Sequence, residues 1–130
     1  MVPPFQGKER RRYLRVHPAQ TNPVHVAVQM GDTVLEADAI RDVSLGGVAF
    51  QFPWDSALPP IGKKLAPIQL KLPELGTVEA RGVVRRYDRP APDAPPVLAV
   101  EFTSLPYSGE KKLFQYINQR HRELRYFTGE

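Results

Sequence analysis

Between residues 24 and 102 the apolar side chains return at every second position, in short runs separated by turns, and this alternation constrains the fold more than any other feature of the chain. Val24, Val26, Val28 and Met30 alternate with His25, Ala27 and Gln29, as in a strand with one buried face. Gly31-Asp32 supplies a tight turn after it. A second strand is expected over residues 33–42 and a third through Val48, Phe50 and Phe52, ended by Pro53. Ile68, Leu70 and Leu72 mark a fourth run. Val78, Ala80, Gly82 and Val84 mark a fifth, and Leu98, Val100 and Phe102 a sixth. The proline-rich stretch 89–96 cannot join a ladder and is expected at the tip of an exposed hairpin. From residue 108 the period becomes helical: Ser108 is suited to an N-cap, and Leu113, Phe114, Ile117, His121 and Leu124 fall on one face.

Six short strands followed by one helix, over about residues 108–127, predict an all-β fold: a six-stranded antiparallel β-barrel of Greek-key or meander connectivity with a C-terminal α-helix. Pro67, at the start of the fourth strand, points to an edge position, because proline cannot donate to a ladder. The 130 residues suit one domain, expected to comprise a flexible basic arm over residues 1–15 and the barrel over residues 16–130. No run approaches the roughly 18 apolar residues of a membrane helix, and the first residues lack a signal-peptide pattern. A cytoplasmic protein without membrane insertion is expected.

Reaction chemistry is hard to find. With no cysteine there are no thiolate nucleophiles and no sulfur-ligated metal sites. Ser44 lies in Asp-Val-Ser-Leu-Gly, which lacks the first glycine of a nucleophile elbow and falls between strands. His17, His25 and His121 have no metal-binding spacing. No enzyme, metal or cofactor is expected.

Binding chemistry is concentrated in two places. The net charge is only +4, but five of the eight residues from 8 to 15 are Lys or Arg, in the run Arg10-Arg11-Arg12-Tyr13-Leu14-Arg15. Arg11 and Arg15 form an R-x-x-x-R pair. Guanidinium forks can grip phosphate or the O6/N7 edge of guanine, whereas lysine offers a point charge. The second place is the turn Asp42-x-Ser44-x-x-Gly47. Asp42 can accept from guanine N–H groups, Ser44 can donate to phosphate or base oxygens, and Gly47 permits a positive φ or close backbone approach. A ligand carrying both guanines and phosphates satisfies all of them.

At these residues the sequence resembles the PilZ family, whose members pair an R-x-x-x-R arm with a [D/N]-x-S-x-x-G turn and bind cyclic di-GMP (c-di-GMP). The resemblance covers about residues 8–127 and implies a six-stranded barrel with a C-terminal helix. It implies that Arg11 and Arg15 bind phosphate and guanine, that Asp42 and Ser44 hold a guanine and its neighbouring phosphate, and that Gly47 shapes the turn. Arg10, directly before the pair, resembles the arginine of members that hold two intercalated ligands, so one or two molecules per chain are expected. Ala99 stands where many members have glycine. The implied function is that of a receptor which signals as the ligand orders the arm and an unidentified downstream protein reads the change. The alternatives are a single-stranded nucleic-acid-binding β-barrel, for which Tyr13, Trp54 and Tyr87 are candidate stacking groups, and a protein-interaction module without ligand. Nucleic acid is not the expected partner, because the remaining basic residues are interspersed with proline and apolar residues.

Overall fold

The computed structural model describes residues 13–53 and 56–127. Seven strands run β1 (His25–Met30), β2 (Thr33–Glu36), β3 (Ala39–Val43), β4 (Gly47–Gln51), β5 (Lys64–Leu72), β6 (Gly76–Asp88) and β7 (Val97–Ser104), followed by α1 (Tyr107–Phe127). They form one antiparallel sheet in the order β2-β1-β5-β6-β7-β4-β3. The count differs from the expected six because the run over residues 33–42 breaks at Ala37 and Asp38, giving β2 and β3 at opposite ends of the sheet. Those two residues hold the ends together: Ala37 N–H donates to Val26 O at 2.9 Å and Asp38 N–H to Gln51 O at 2.7 Å. The sheet therefore curls on itself as a half-barrel.

Alternation fills the inside of the curl. Val26, Val28, Phe50, Phe52, Ile68, Leu70, Leu72, Leu98 and Val100 are buried together, with Phe50 and Phe52 edge-on at 5.1 Å between ring centroids. Helix α1 packs over β5 and β6. It starts two residues earlier than an N-cap at Ser108 implies: Glu110 N–H donates to the carbonyl of Pro106, so Ser108 lies inside the first turn. Its buried stripe is also turned from the expected one. Leu113, Tyr116, Ile117 and Arg120 face the core, whereas Phe114 is 54% exposed.

Pro67 is not on an edge strand, since β5 lies between β1 and β6. Pairing with β6 slips between Leu65 and Ile68, and β1 pairs only with residues 68–71, so the proline occupies a bulge where no ladder donor is needed. No helix among the described residues is long and apolar enough to cross a membrane.

Candidate functional site

The turn after β3 is built by its own serine. Ser44 N–H donates to Gly47 O at 2.9 Å, and Ser44 Oγ accepts from Gly46 N–H at 3.0 Å. Gly46 O in turn accepts from Phe102 N–H at 2.8 Å, tying the turn to β7. Gly47 does not adopt a positive φ. Its requirement is space, because a Cβ there would lie 2.1 Å from Val100 O.

The segment before β1 reaches this turn through an antiparallel bridge. Val16 N–H donates to Val43 O at 3.0 Å, and Val43 N–H returns to Val16 O at 2.8 Å. Val16 enters the core. Alternation then turns its neighbour Arg15 outward. Tyr13 lies over Gly46, whose hypothetical Cβ would meet the ring at 2.5 Å.

Tyr13, Arg15, Asp42, Ser44, Gly46 and Gly47 border one open cavity of about 700 Å³ on the outer face of β3, β4, β7 and β6. The pairing there is in register. Val43, Val48, Val100 and Val84 form a cross-strand row and all point into the core. The adjacent row is Asp42, Ala49, Ala99 and Arg86, which line the cavity. Two alanine methyls thus lie between an aspartate and an arginine. Ala99, the position of difference from many family members, belongs to this lining although it is outside both motifs.

Two bulges load the site with charge. Ile40 pairs with Phe50 and Asp42 with Ala49, leaving Arg41 as the extra residue. Val84 pairs with Val100 and Arg86 with Ala99, leaving Arg85 extra. In a regular strand, one residue of each pair Arg41-Asp42 and Arg85-Arg86 would turn inward. Here all four line the cavity. Its described lining holds Arg15, Arg41, Arg85 and Arg86 against Asp42 and Glu101, an excess of positive charge.

These charges are organised. Arg41 donates from Nε to Asp42 Oδ2 at 3.0 Å and from Nη1 to Asp88 Oδ2 at 2.9 Å, while Arg86 Nε reaches Asp88 Oδ1 at 3.1 Å. Arg85 pairs with Glu101. Burial disfavours the charged form of Arg41, but hydrogen bonds to Asp88 and Asp42 outweigh it and raise the pKa further. Hydrogen bonds from Arg41 and then Arg86 hold the Asp88 carboxyl below its ordinary value.

The sequence-predicted residues Arg15, Asp42, Ser44 and Gly47 therefore come together, while Arg10 and Arg11 lie outside the described residues. So does Trp54. Tyr87 is half-buried against the core, its hydroxyl donating to Pro59 O. Arg41, Arg85, Arg86 and Asp88 were missed. Their signal is a pair of adjacent polar residues within an alternating strand, which strict alternation would force to bury a charge. No group of three or more His, Asp or Glu residues suited to a metal occurs among the described residues.

Solved structures share this architecture. The chain is similar to the PilZ domain of YcgR from Escherichia coli with c-di-GMP, at 23% identity and a TM-score of 0.72, over 93% of this chain and 98% of that one. It is similar to the inhibitor of motility MotI/DgrA of Bacillus subtilis at 22% identity and 0.71, over 88% of this chain and 52% of that one. The K. pneumonia MrkH complex with c-di-GMP matches at 16% identity and 0.71, over 89% of this chain and 54% of that one. The chain thus spans about half the length of the MotI/DgrA and MrkH chains. No curated protein matches by sequence. The family model for the PilZ domain matches residues 9–119, and the chain belongs to the PilZ domain family.

Proposed function

We propose that this PilZ domain is a receptor for c-di-GMP, held in the cavity on the outer face of β3, β4, β7 and β6. The observation that carries the reading is the convergence of Arg15 with Asp42, Ser44 and Gly47 on a single arginine-rich cavity. Its volume of about 700 Å³ is in the range of small-molecule sites. Guanidinium groups complement the two phosphates, and Asp42 complements the N–H edge of guanine. Ser44 Oγ already accepts from Gly46 N–H, and its own proton has only a long contact to Gly47 O at 3.5 Å, so it serves a phosphate oxygen. The half-buried Ala99 methyl of the floor suits the face of a base. YcgR and MrkH structures with c-di-GMP support the same ligand for this fold.

In this reading Arg10 and Arg11 complete the site from the arm, and binding orders residues 8–15 against the turn. A downstream protein then reads the docked arm. The test is calorimetric titration of the wild-type chain with c-di-GMP, cyclic di-AMP, GTP and a short single-stranded oligonucleotide. The oligonucleotide matters because MrkH is described as a transcription regulatory factor. Saturable c-di-GMP binding, with cyclic di-AMP weaker by about 10-fold or more, is expected from guanine edge contacts. Equal affinity for the two dinucleotides, or tighter binding of the oligonucleotide, overturns the reading.

A further inference from the structure

The wall of the cavity facing Asp42 is made by a residue outside both motifs. Arg86 follows the β6 bulge and pairs with Ala99, so its side chain leaves the core and stands at the far end of the row Asp42, Ala49, Ala99, Arg86. Its direction is set by Asp88, which takes Arg86 Nε on one oxygen and Arg41 on the other. Arg41 spends Nε on Asp42 and Nη1 on Asp88. Arg86 spends only Nε on the described residues, and the two terminal amino groups of its half-exposed guanidinium have no partner among them, a fork that faces the cavity. No other arginine of the described lining combines a carboxylate-held stem with a place in this row.

The ends of the row are chemically complementary to one base. Three strand spacings separate the Asp42 and Arg86 backbones, about 14 Å, and the two side chains narrow that gap from opposite sides. A base lying over the half-buried Ala99 methyl, beside the buried Ala49, would meet a carboxylate at one edge and a guanidinium fork at the other. Guanine has a donor edge, N1–H with the 2-amino group, and an acceptor edge, O6 with N7. Adenine presents an amino donor where guanine has O6, which faces the fork with another donor.

We propose that Arg86 is a further ligand-binding residue, taking the O6/N7 edge of a guanine whose N–H edge meets Asp42, and that it contributes to selection of guanine over adenine. This rests on the receptor reading above. The experiment is a cycle of calorimetric titrations: wild type, Arg86→Ala and Arg86→Lys, each with c-di-GMP and with its 7-deazaguanine analogue, which lacks the N7 acceptor. Arg86→Ala should weaken c-di-GMP binding by about 5- to 150-fold, the worth of one bidentate contact. The penalty for the 7-deaza analogue should shrink most in Arg86→Ala, whose partner for N7 is gone, and partly in Arg86→Lys, where one ammonium must serve both O6 and N7. Arg86→Lys keeps the stem and the charge but not the fork, and carries the test if the alanine variant misfolds. An unchanged 7-deaza penalty in the variants means that Arg86 meets phosphate or acts only through its charge, and overturns the assignment. Unchanged c-di-GMP affinity overturns it as well. A wild-type chain that binds no dinucleotide removes the receptor reading and this one together.

Discussion

An alanine at position 47 would have to fit between β4 and β7, and the structure gives the size of the misfit. Its Cβ would sit 2.1 Å from Val100 O, 3.2 Å from the Val100 carbonyl carbon and 3.3 Å from Glu101 Cα. All three are backbone atoms, so no side chain can rotate away. Carbon–oxygen contacts between strands settle at about 3.3–3.6 Å, so the strands must part locally by roughly 1 Å. That movement strains the Gly47 and Glu101 pairing and the neighbouring bond from Phe102 N–H to Gly46 O. Overpacking with one or two weakened hydrogen bonds amounts to about 2–4 kcal/mol. At about 4 °C per kcal/mol for a domain of this size, Tm should fall by about 8–16 °C. Gly31→Ala is the control. Gly31 has φ 62° with nothing within 4 Å of a Cβ, so the change costs only the conformational preference, about 1 kcal/mol or about 4 °C. Circular dichroism melts of the two variants decide the point. A Gly47→Ala protein that melts no lower than Gly31→Ala would refute the claim that space, rather than backbone conformation, demands glycine at position 47.

Four further outcomes follow from the site. Arg15→Ala should weaken c-di-GMP binding by about 1–3 kcal/mol, read by calorimetry; unchanged affinity removes Arg15 from the contact. Wild type should take two ligands per chain and Arg10→Ala one, whereas saturation of wild type at one ligand refutes the intercalated pair. Asp88 is held below its ordinary value of 3.8, so its carboxylate contributes stability that is fully present above that value and lost as pH falls through the lower folded-state pKa. Asp88→Asn should therefore flatten the loss of stability below about pH 4, and superimposable acid-unfolding curves would contradict this. In hydrogen exchange, amides of residues 8–12 should gain protection with c-di-GMP while Val16, already bonded to Val43 O, changes little; arm amides unaltered at saturation would exclude the ordering switch.

Where alternation was uninterrupted, the sequence was a reliable guide to the interior. Val26, Val28, Phe50, Leu70, Leu72, Val78 and Leu98 are all buried as their spacing requires. The same logic failed wherever a bulge changed the parity. Counting back from inward-facing Val43 puts Arg41 inside, and counting on from Val84 puts Arg86 inside. Neither charge can be buried without a partner at acceptable cost, and the chain resolves the conflict by inserting one residue in each strand. Pro67 is the apolar version of the case, read as an edge signal but accommodated by a bulge within an inner strand. The two motifs were legible as residues with chemistry. That Arg86 and Ala99 complete the row begun by Asp42 depends on pairing between strands distant in sequence, which spacing along one strand does not encode.

The root of the arm limits how any signal from the site can travel. Val16 is bonded to β3 on one side, and the next carbonyl, that of His17, accepts from Arg120 Nε of α1 at 2.7 Å. Arg120 is buried and also pairs with Glu123 at 3.1 Å. A charged hydrogen bond in such a place is costly to break, because the guanidinium would be left without its acceptor. Movement of the arm about residues 13–15 is therefore resisted at residues 16 and 17 by two elements, the edge strand that carries Asp42 and the helix that closes the fold. An arm docked by ligand pulls against both at once. The strand offers little give, since Val43 has no exposed surface and pairs with Val48 in the valine row. The helix is held by fewer contacts, to β5 and β6 alone among the strands with substantial packing. If ligand docks the arm as proposed above, the pull at His17 passes through Arg120 to the C-terminal half of α1 as well as to β3, so hydrogen exchange in α1 should respond to c-di-GMP, and unchanged α1 amides at saturation would confine the effect to the arm.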